Sequence, residues 1–179
     1  MFLSFYTPTY RRPQSLARCL ASVAAQTIAA DLEHVVIPDH IGRGIGGMYA
    51  QIPQYVDAVH GDYVHVLADD DVLAAPDVCA RVRAFAEAHQ YPPVLLVSVI
   101  KAGAQWPQGQ PWPPICGQID LGCLITRADV WKRHVTDYGH RYEGDWDFAD
   151  ALYRAGHRAL SCDLVFLHGA VSRGAAEAA

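Results

Sequence analysis

Three consecutive carboxylates, Asp69, Asp70 and Asp71, close the apolar run from Tyr63 to Ala68. That run alternates and is rich in Val and Tyr, which predicts a buried strand with the acids at its carboxyl end. In open α/β sheets this edge is where ligands bind. Three like charges so close together repel one another unless something positive sits among them. A hard divalent cation carrying phosphate oxygens answers that need. The same residues would also make a solvated acidic turn before a helix.

Such a cluster needs elements to hold it. Residues 2 to 6 predict a short apolar strand that breaks at Thr7-Pro8-Thr9. Pro13 then opens a helix with Leu16, Leu20 and Val23 on one face. A second strand, 33 to 37, ends at Pro38-Asp39, and the glycine-rich run Gly42 to Gly47 leads into a helix reaching Val59. Beyond the acids, Pro76 and Asp77 start a helix whose buried stripe is Val78, Val82 and Phe85, and 94 to 100 reads as a continuous apolar central strand. This alternation predicts a mostly parallel sheet with helices on both faces. Residues 103 to 118 carry Trp106, Trp112 and several prolines without periodicity, which predicts a long loop that covers a site and orders over its ligand. A strand over 119 to 126, a helix over 128 to 134, a helix over 145 to 155 ended by Gly156, and a strand over 159 to 167 running into His168 complete the chain.

With 179 residues, 51% hydrophobic and 18% charged, the chain suits one sizeable core, and a single domain over 1–179 is expected. A formal net charge of -5 without any Lys/Arg block argues against nucleic acid as a partner. Five cysteines form no Cys-x-x-Cys pair, so they read as reduced thiols and indicate neither a disulfide framework nor a zinc site. The opening residues lack a basic leader and no stretch approaches a membrane span, so a cytoplasmic location is expected.

Four segments, in this order and at this spacing, are similar to one family: FYTPTYRRPQSLARCLASVAAQT, VVIPD, GDYVHVLADDDVLAAPD, and YEGDWDFADALYRAG with VFLHGAVSRG. They resemble the GT-A fold glycosyltransferases, in particular the large inverting group numbered second among such families. The resemblance implies a GT-A-like α/β domain with a nucleotide-binding half (1–100) and an acceptor and catalytic half (101–179). Its activity would be transfer of a sugar from a nucleotide-diphosphate donor, UDP-sugars foremost, to a hydroxyl of a glycan or other acceptor, with inversion. By that resemblance Thr7, Pro8, Thr9 and Tyr10 hold base and ribose, and Asp39 hydrogen-bonds the base. Asp69, Asp70 and Asp71 match the Asp-x-Asp motif of nucleotide and metal binding. Asp71 is the main metal ligand there, supported by Asp69, and His168 is a further one. All-oxygen ligands favour Mn²⁺ or Mg²⁺.

Arg173 and Arg43 would neutralise the diphosphate. Asp145 matches the general base, although the family's preceding acid is Gly144 here and Glu143 lies one position earlier. Asp120 and Gly122 fall on the acceptor-side strand, and Trp106 and Trp112 offer flat faces to a sugar ring or else pin their loop to the core. A homo-oligomer would complete acceptor recognition in a short chain.

Two other readings remain open at this stage. A noncatalytic sugar-nucleotide or glycan-binding module would keep the triplet and lack the base. Gly42-x-Gly44-x-x-Gly47 also has the spacing of a dinucleotide fingerprint, which a Rossmann NAD(P)-dependent oxidoreductase would use. Four residues, Pro38 to Ile41, separate the strand from its first glycine, whereas that fingerprint needs the turn at the strand's end.

Overall fold

Alternating Val, Leu, Phe and Tyr segments pair into one sheet in the computed structural model, which describes residues 1–109 and 111–169. In chain order the elements are β1 (Leu3–Thr9), α1 (Pro13–Ala24), β2 (Leu32–Pro38), α2 (Gly44–Gln51), β3 (Tyr63–Val66), β4 (Asp71–Leu73), α3 (Val78–Ala88), β5 (Val94–Lys101), β6 (Ala104–Trp106), β7 (Leu124–Arg127), α4 (Ala128–His134), α5 (Gly144–Arg154) and β8 (Ala159–Gly169). The strand order is β2-β1-β3-β7-β5-β8-β4, with β6 on β5.

The first half follows the expected parallel pattern, with β2, β1 and β3 side by side. The second half corrects it. β7 runs antiparallel between β3 and β5, β4 runs antiparallel on β8, and β5 with β8 is parallel. The sheet is therefore mixed. It must also curl, because β3 and β4 lie four strand steps apart, roughly 19 Å along a flat sheet. Yet only residues 67–70 join them. Those residues are folded into a turn, with the Asp71 N–H donating to the Ala68 carbonyl at 3.1 Å. The acidic triplet thus lies where the edge strand β4 is brought back toward β3.

Two helices differ from expectation in the face they bury. In α1 the buried residues are Ser15, Cys19 and Val23, while Leu20 is exposed. Small side chains on that stripe let the helix approach the sheet. In α3 the stripe is Val78, Cys79, Val82 and Ala86, and Phe85 is only half-buried. Beneath the strands, Phe5 stacks on Phe166 at 6.3 Å, and both rings meet the fully buried His65 edge-on. A second aromatic stack, Tyr49 on Tyr138 on Phe148, ties α2 to α5.

The stretch after β5 is more ordered than its composition suggests. It starts as a β5–β6 hairpin that places Trp106 opposite Val99. The indole N–H of Trp112 then donates to the His157 carbonyl at 3.3 Å, and that of Trp146 to the Pro114 carbonyl at 3.2 Å. The strand expected from Ile119 begins only at Leu124. Before it, Asp120 caps a single tight turn, accepting the Gly122 N–H at 2.8 Å. Among the described residues no helix is long and apolar enough to cross a membrane.

Candidate active site

The triplet emerges from β3 with each carboxylate facing a cation. Asp69 accepts from the Thr9 hydroxyl at 2.7 Å and from Arg12 Nη1 at 2.9 Å, and the same guanidinium nitrogen reaches Asp70 at 3.1 Å. Burial raises the Asp69 carboxyl above its ordinary range, only partly offset by Thr9 and Arg12. Asp71 opens β4, and its Oδ2 lies 3.0 Å from Lys101 Nζ at the end of β5. That ammonium also lies 2.9 Å from Asp120 Oδ1. Burial pushes Asp71 up to about 7, with Lys101 working the other way, while the two carboxylates keep the proton on Lys101 despite its partial burial.

Asp145 stands in the first turn of α5, where its Oδ1 accepts the Trp146 N–H at 2.8 Å. Burial pushes it up to about 6; the Trp146 N–H opposes this and the nearby Asp120 adds to it. Asp71, Lys101, Asp120 and Asp145 therefore form one continuous electrostatic group drawn from β4, β5, the turn before β7, and α5. The glycine at position 144 has a local cause. A Cβ on Gly144 would lie 2.3 Å from the Gly139 carbonyl oxygen and 2.5 Å from the Tyr49 ring, so no side chain fits. Glu143 precedes the helix without a side-chain capping bond. Asp147 is held by Arg141 through two hydrogen bonds of 2.8 and 2.6 Å, which lower its pKa.

The loops after β1 and β2 come together beside this group. Tyr10 is half-buried, with the Arg11 guanidinium 5.2 Å from its ring centroid and Gly42 close against the phenol end of the ring. Asp39 accepts the N–H groups of Ile41 at 3.0 Å and Arg43 at 2.6 Å, and the Arg43 guanidinium lies 3.5 Å away. Although burial raises its carboxyl, these N–H groups and Arg43 lower it further. The Asp39 N–H donates to the Thr9 carbonyl at 2.8 Å, which joins the two loops, and Pro8 pairs with Ile37 just before them.

Several expected site residues are placed elsewhere. Thr7 is 0% exposed and its hydroxyl is bonded to His34 at 2.8 Å, so it supports β1 from inside instead of meeting a ligand. His168 pairs with Val72 whereas Asp71 pairs with Gly169, so strand alternation turns the His168 side chain to the opposite face from Asp71. Trp112 packs on Tyr153 and His157, at the far ends of α5 and β8 from Asp145 and Asp71. Trp106 is half-buried against the core, and Gly122 is buried under Leu167 and Val99. Arg173 lies outside the described residues. Arg12 and Lys101 went unread in the sequence. The available signal was a lone cation at a strand's end and another just before a helix.

A divalent metal does not fit the side chains as they stand. Among the described residues no three His, Cys, Asp or Glu side chains are grouped to hold an ion. Asp69 is engaged by Thr9 and Arg12, and Asp71 by Lys101. Of the glycines that would cradle a dinucleotide, Gly42 lies against Tyr10 and Gly47 against the Arg43 side chain, and only Gly44 has open space around it.

No protein-family model and no curated protein matches this sequence. Solved structures do. TarS 1-349 of S. aureus in complex with UDP aligns with a TM-score of 0.70 at 17% identity, covering 96% of this chain and 61% of that one. The same protein with UDP-GlcNAc gives 0.69 at 17% identity, covering 98% and 60%. The mannosyltransferase PcManGT of Pyrobaculum calidifontis, in complex with GDP-Man and Mn²⁺, gives 0.61 at 13% identity, covering 96% and 57%. The chain thus spans about three fifths of each of these proteins. What aligns is the whole curled sheet with its flanking helices, and the chain has the GT-A-like glycosyltransferase fold.

Proposed function

We propose that this chain transfers a sugar from a nucleotide-diphosphate donor, a UDP-sugar foremost, to a hydroxyl of a glycan or other acceptor, with inversion. The observation that carries the reading is Asp145. It is a carboxylate raised to about 6 by burial, seated at the start of α5 and coupled through Asp120 and Lys101 to the triplet at the sheet edge. The complexes of TarS with UDP and UDP-GlcNAc, and of PcManGT with GDP-Man, support a nucleotide-sugar donor for this fold.

In this reading residues 1–100 hold the nucleotide. Tyr10 stacks on the base, and Asp39 and Thr9 meet base and ribose. Arg43, at the mouth of the same loop, and Arg12, which gathers Asp69 and Asp70, offset charge around the diphosphate. The half beginning at residue 101 supplies the chemistry. Asp145 takes the proton of the acceptor hydroxyl as its oxygen attacks the anomeric carbon. The bond from that carbon to the diphosphate oxygen breaks on the opposite face, its electron pair leaves with the nucleotide diphosphate, and configuration inverts. The Mn²⁺ of the PcManGT complex supports metal use in that protein.

The test separates binding from chemistry. UDP-, GDP- and dTDP-sugars are screened for binding by thermal shift and for hydrolysis or transfer by product analysis. Asp145→Asn should keep donor affinity within about twofold and lower turnover at least about a hundredfold. Wild-type turnover in this variant removes Asp145 from the reaction. Donor binding without any turnover in the wild type would favour a noncatalytic module.

A further inference from the structure

We infer that Lys101 is a resident cation at Asp71 and Asp120, and that it meets the donor's diphosphate in place of a divalent metal. The inference rests on the nucleotide-sugar reading above and adds what neutralises the phosphates.

The registers show how the sequence achieves it. Lys101 on β5 pairs with Gly169 on β8, and Gly169 pairs with Asp71 on β4, so the three residues form one row across three strands. Two strand spacings separate Lys101 from Asp71, roughly 10 Å between backbones. An extended lysine side chain bridges that distance only if nothing projects from the strand between. Gly169 meets this requirement, since a Cβ there would lie 2.3 Å from Lys101 Cγ and 2.7 Å from Asp71 Oδ1. The lysine stem lies over the glycine, and Nζ arrives 3.0 Å from Asp71 and 2.9 Å from Asp120.

Exposure decides which atom a ligand meets. The Asp71 side chain is 2% exposed and that of Lys101 24%, so the ammonium covers the carboxylate. An ammonium has three N–H donors. Asp71 and Asp120 take two, leaving one for a phosphate oxygen. A metal at Asp71 would have to evict Nζ from both carboxylates and then sit beside the displaced positive charge. Arg12 is likewise shared between Asp69 and Asp70, so each carboxylate of the triplet has a side-chain cation beside it.

The experiment has two arms on the full chain. In the first, Mn²⁺ alone is titrated and free ion is read by electron paramagnetic resonance. Wild-type protein should leave the signal unchanged at up to about tenfold excess of protein over ion, whereas Lys101→Met should remove it. In the second, UDP binding is measured by calorimetry in EDTA and in Mn²⁺. Wild-type affinities should agree within about threefold. Lys101→Met should bind at least about tenfold more weakly in EDTA and recover in Mn²⁺, and Lys101→Arg, which keeps the charge, should still bind in EDTA. Stoichiometric Mn²⁺ uptake by the wild type, or UDP affinity rising tenfold or more with Mn²⁺, overturns the inference. Failure of UDP, GDP and dTDP to bind in either buffer overturns the nucleotide reading and the phosphate half of the inference, while the Mn²⁺ arm still decides what occupies Asp71. Should Lys101→Met fail to fold by circular dichroism, Lys101→Arg and the wild type carry both arms.

Discussion

Asp145 is a carboxylate whose neighbours set its proton affinity near the range where a base is useful. Burial raises it to about 6, the Trp146 N–H pulls it down, and Asp120 pushes it up again. Only the ionised form accepts a proton. The rate constant kcat/KM should therefore rise with pH through about 6 and level off above it, a profile read with a saturating acceptor and a UDP-sugar. A limb near 4 would show that burial does not govern this carboxylate. Asp147, one turn position away, is an ordinary ion-paired acid by contrast. Its fork with Arg141 makes Asp147→Asn a loop-stability change that should leave that pH limb where it is.

At the scale of elements, close packing explains residues that motif reading leaves odd. The start of α5 lies against Tyr49 of α2 and the Gly139 carbonyl with no room for a Cβ at position 144. Gly144→Ala should lower stability by about 1–3 kcal/mol in urea unfolding, through overpacking. Gly144→Glu, which would place an acid there, should cost more and add no activity. The segment after β6 offers a second test. With two indoles bonded across it, residues 112–118 should show slowed hydrogen exchange before any ligand is added, and Trp146→Phe should speed exchange around Pro114 and Ile115. Fast exchange in the wild type that slows only with donor would restore the picture of a lid that orders over its ligand.

For the whole molecule, the core carries a titratable group that sets a pH limit on folding. His65 is 0% exposed, its Nδ1 is 3.0 Å from the Leu124 carbonyl, and its Nε2 has no partner among the described residues. Burial lowers its pKa to about 4. Between that value and the ordinary 6.5 the unfolded chain binds more protons than the folded one, so the stability is fully present above 6.5 and is lost as pH falls through the window. His34, also lowered to about 4 by burial, acts in the same direction. Asp71 and Asp145, raised by burial, act in the opposite one. The comparison that isolates His65 is therefore between slopes. His65→Leu should reduce the dependence of unfolding free energy on pH between 4 and 6.5 by at most about 1.4 kcal/mol per pH unit. Identical slopes would mean that His65 titrates normally, through local opening of the sheet.

Most of the strand and helix order, the strand that delivers the acidic triplet, and the position of Asp145 at the opening of a helix were legible in the sequence, while the short strands β4 and β6 were not. What was legible depends on local periodicity and turn chemistry, which neighbouring residues set among themselves. The tertiary structure alone decided the rest. Strand registers far apart in sequence turned His168 away from Asp71 and laid Lys101 across Gly169, and a one-residue shift in either pairing would have reversed the faces. The stripe of α1 moved to Ser15 and Cys19 because the distance to the sheet favours small side chains. Thr7 turned inward, and Trp112 settled at the far end of β8, through contacts with His34, Tyr153 and His157 that no local pattern announces. Three adjacent aspartates read alone call for a metal. Folded, they stand among Arg12 and Lys101, because counter-charges arrive from segments that only the curled sheet brings near.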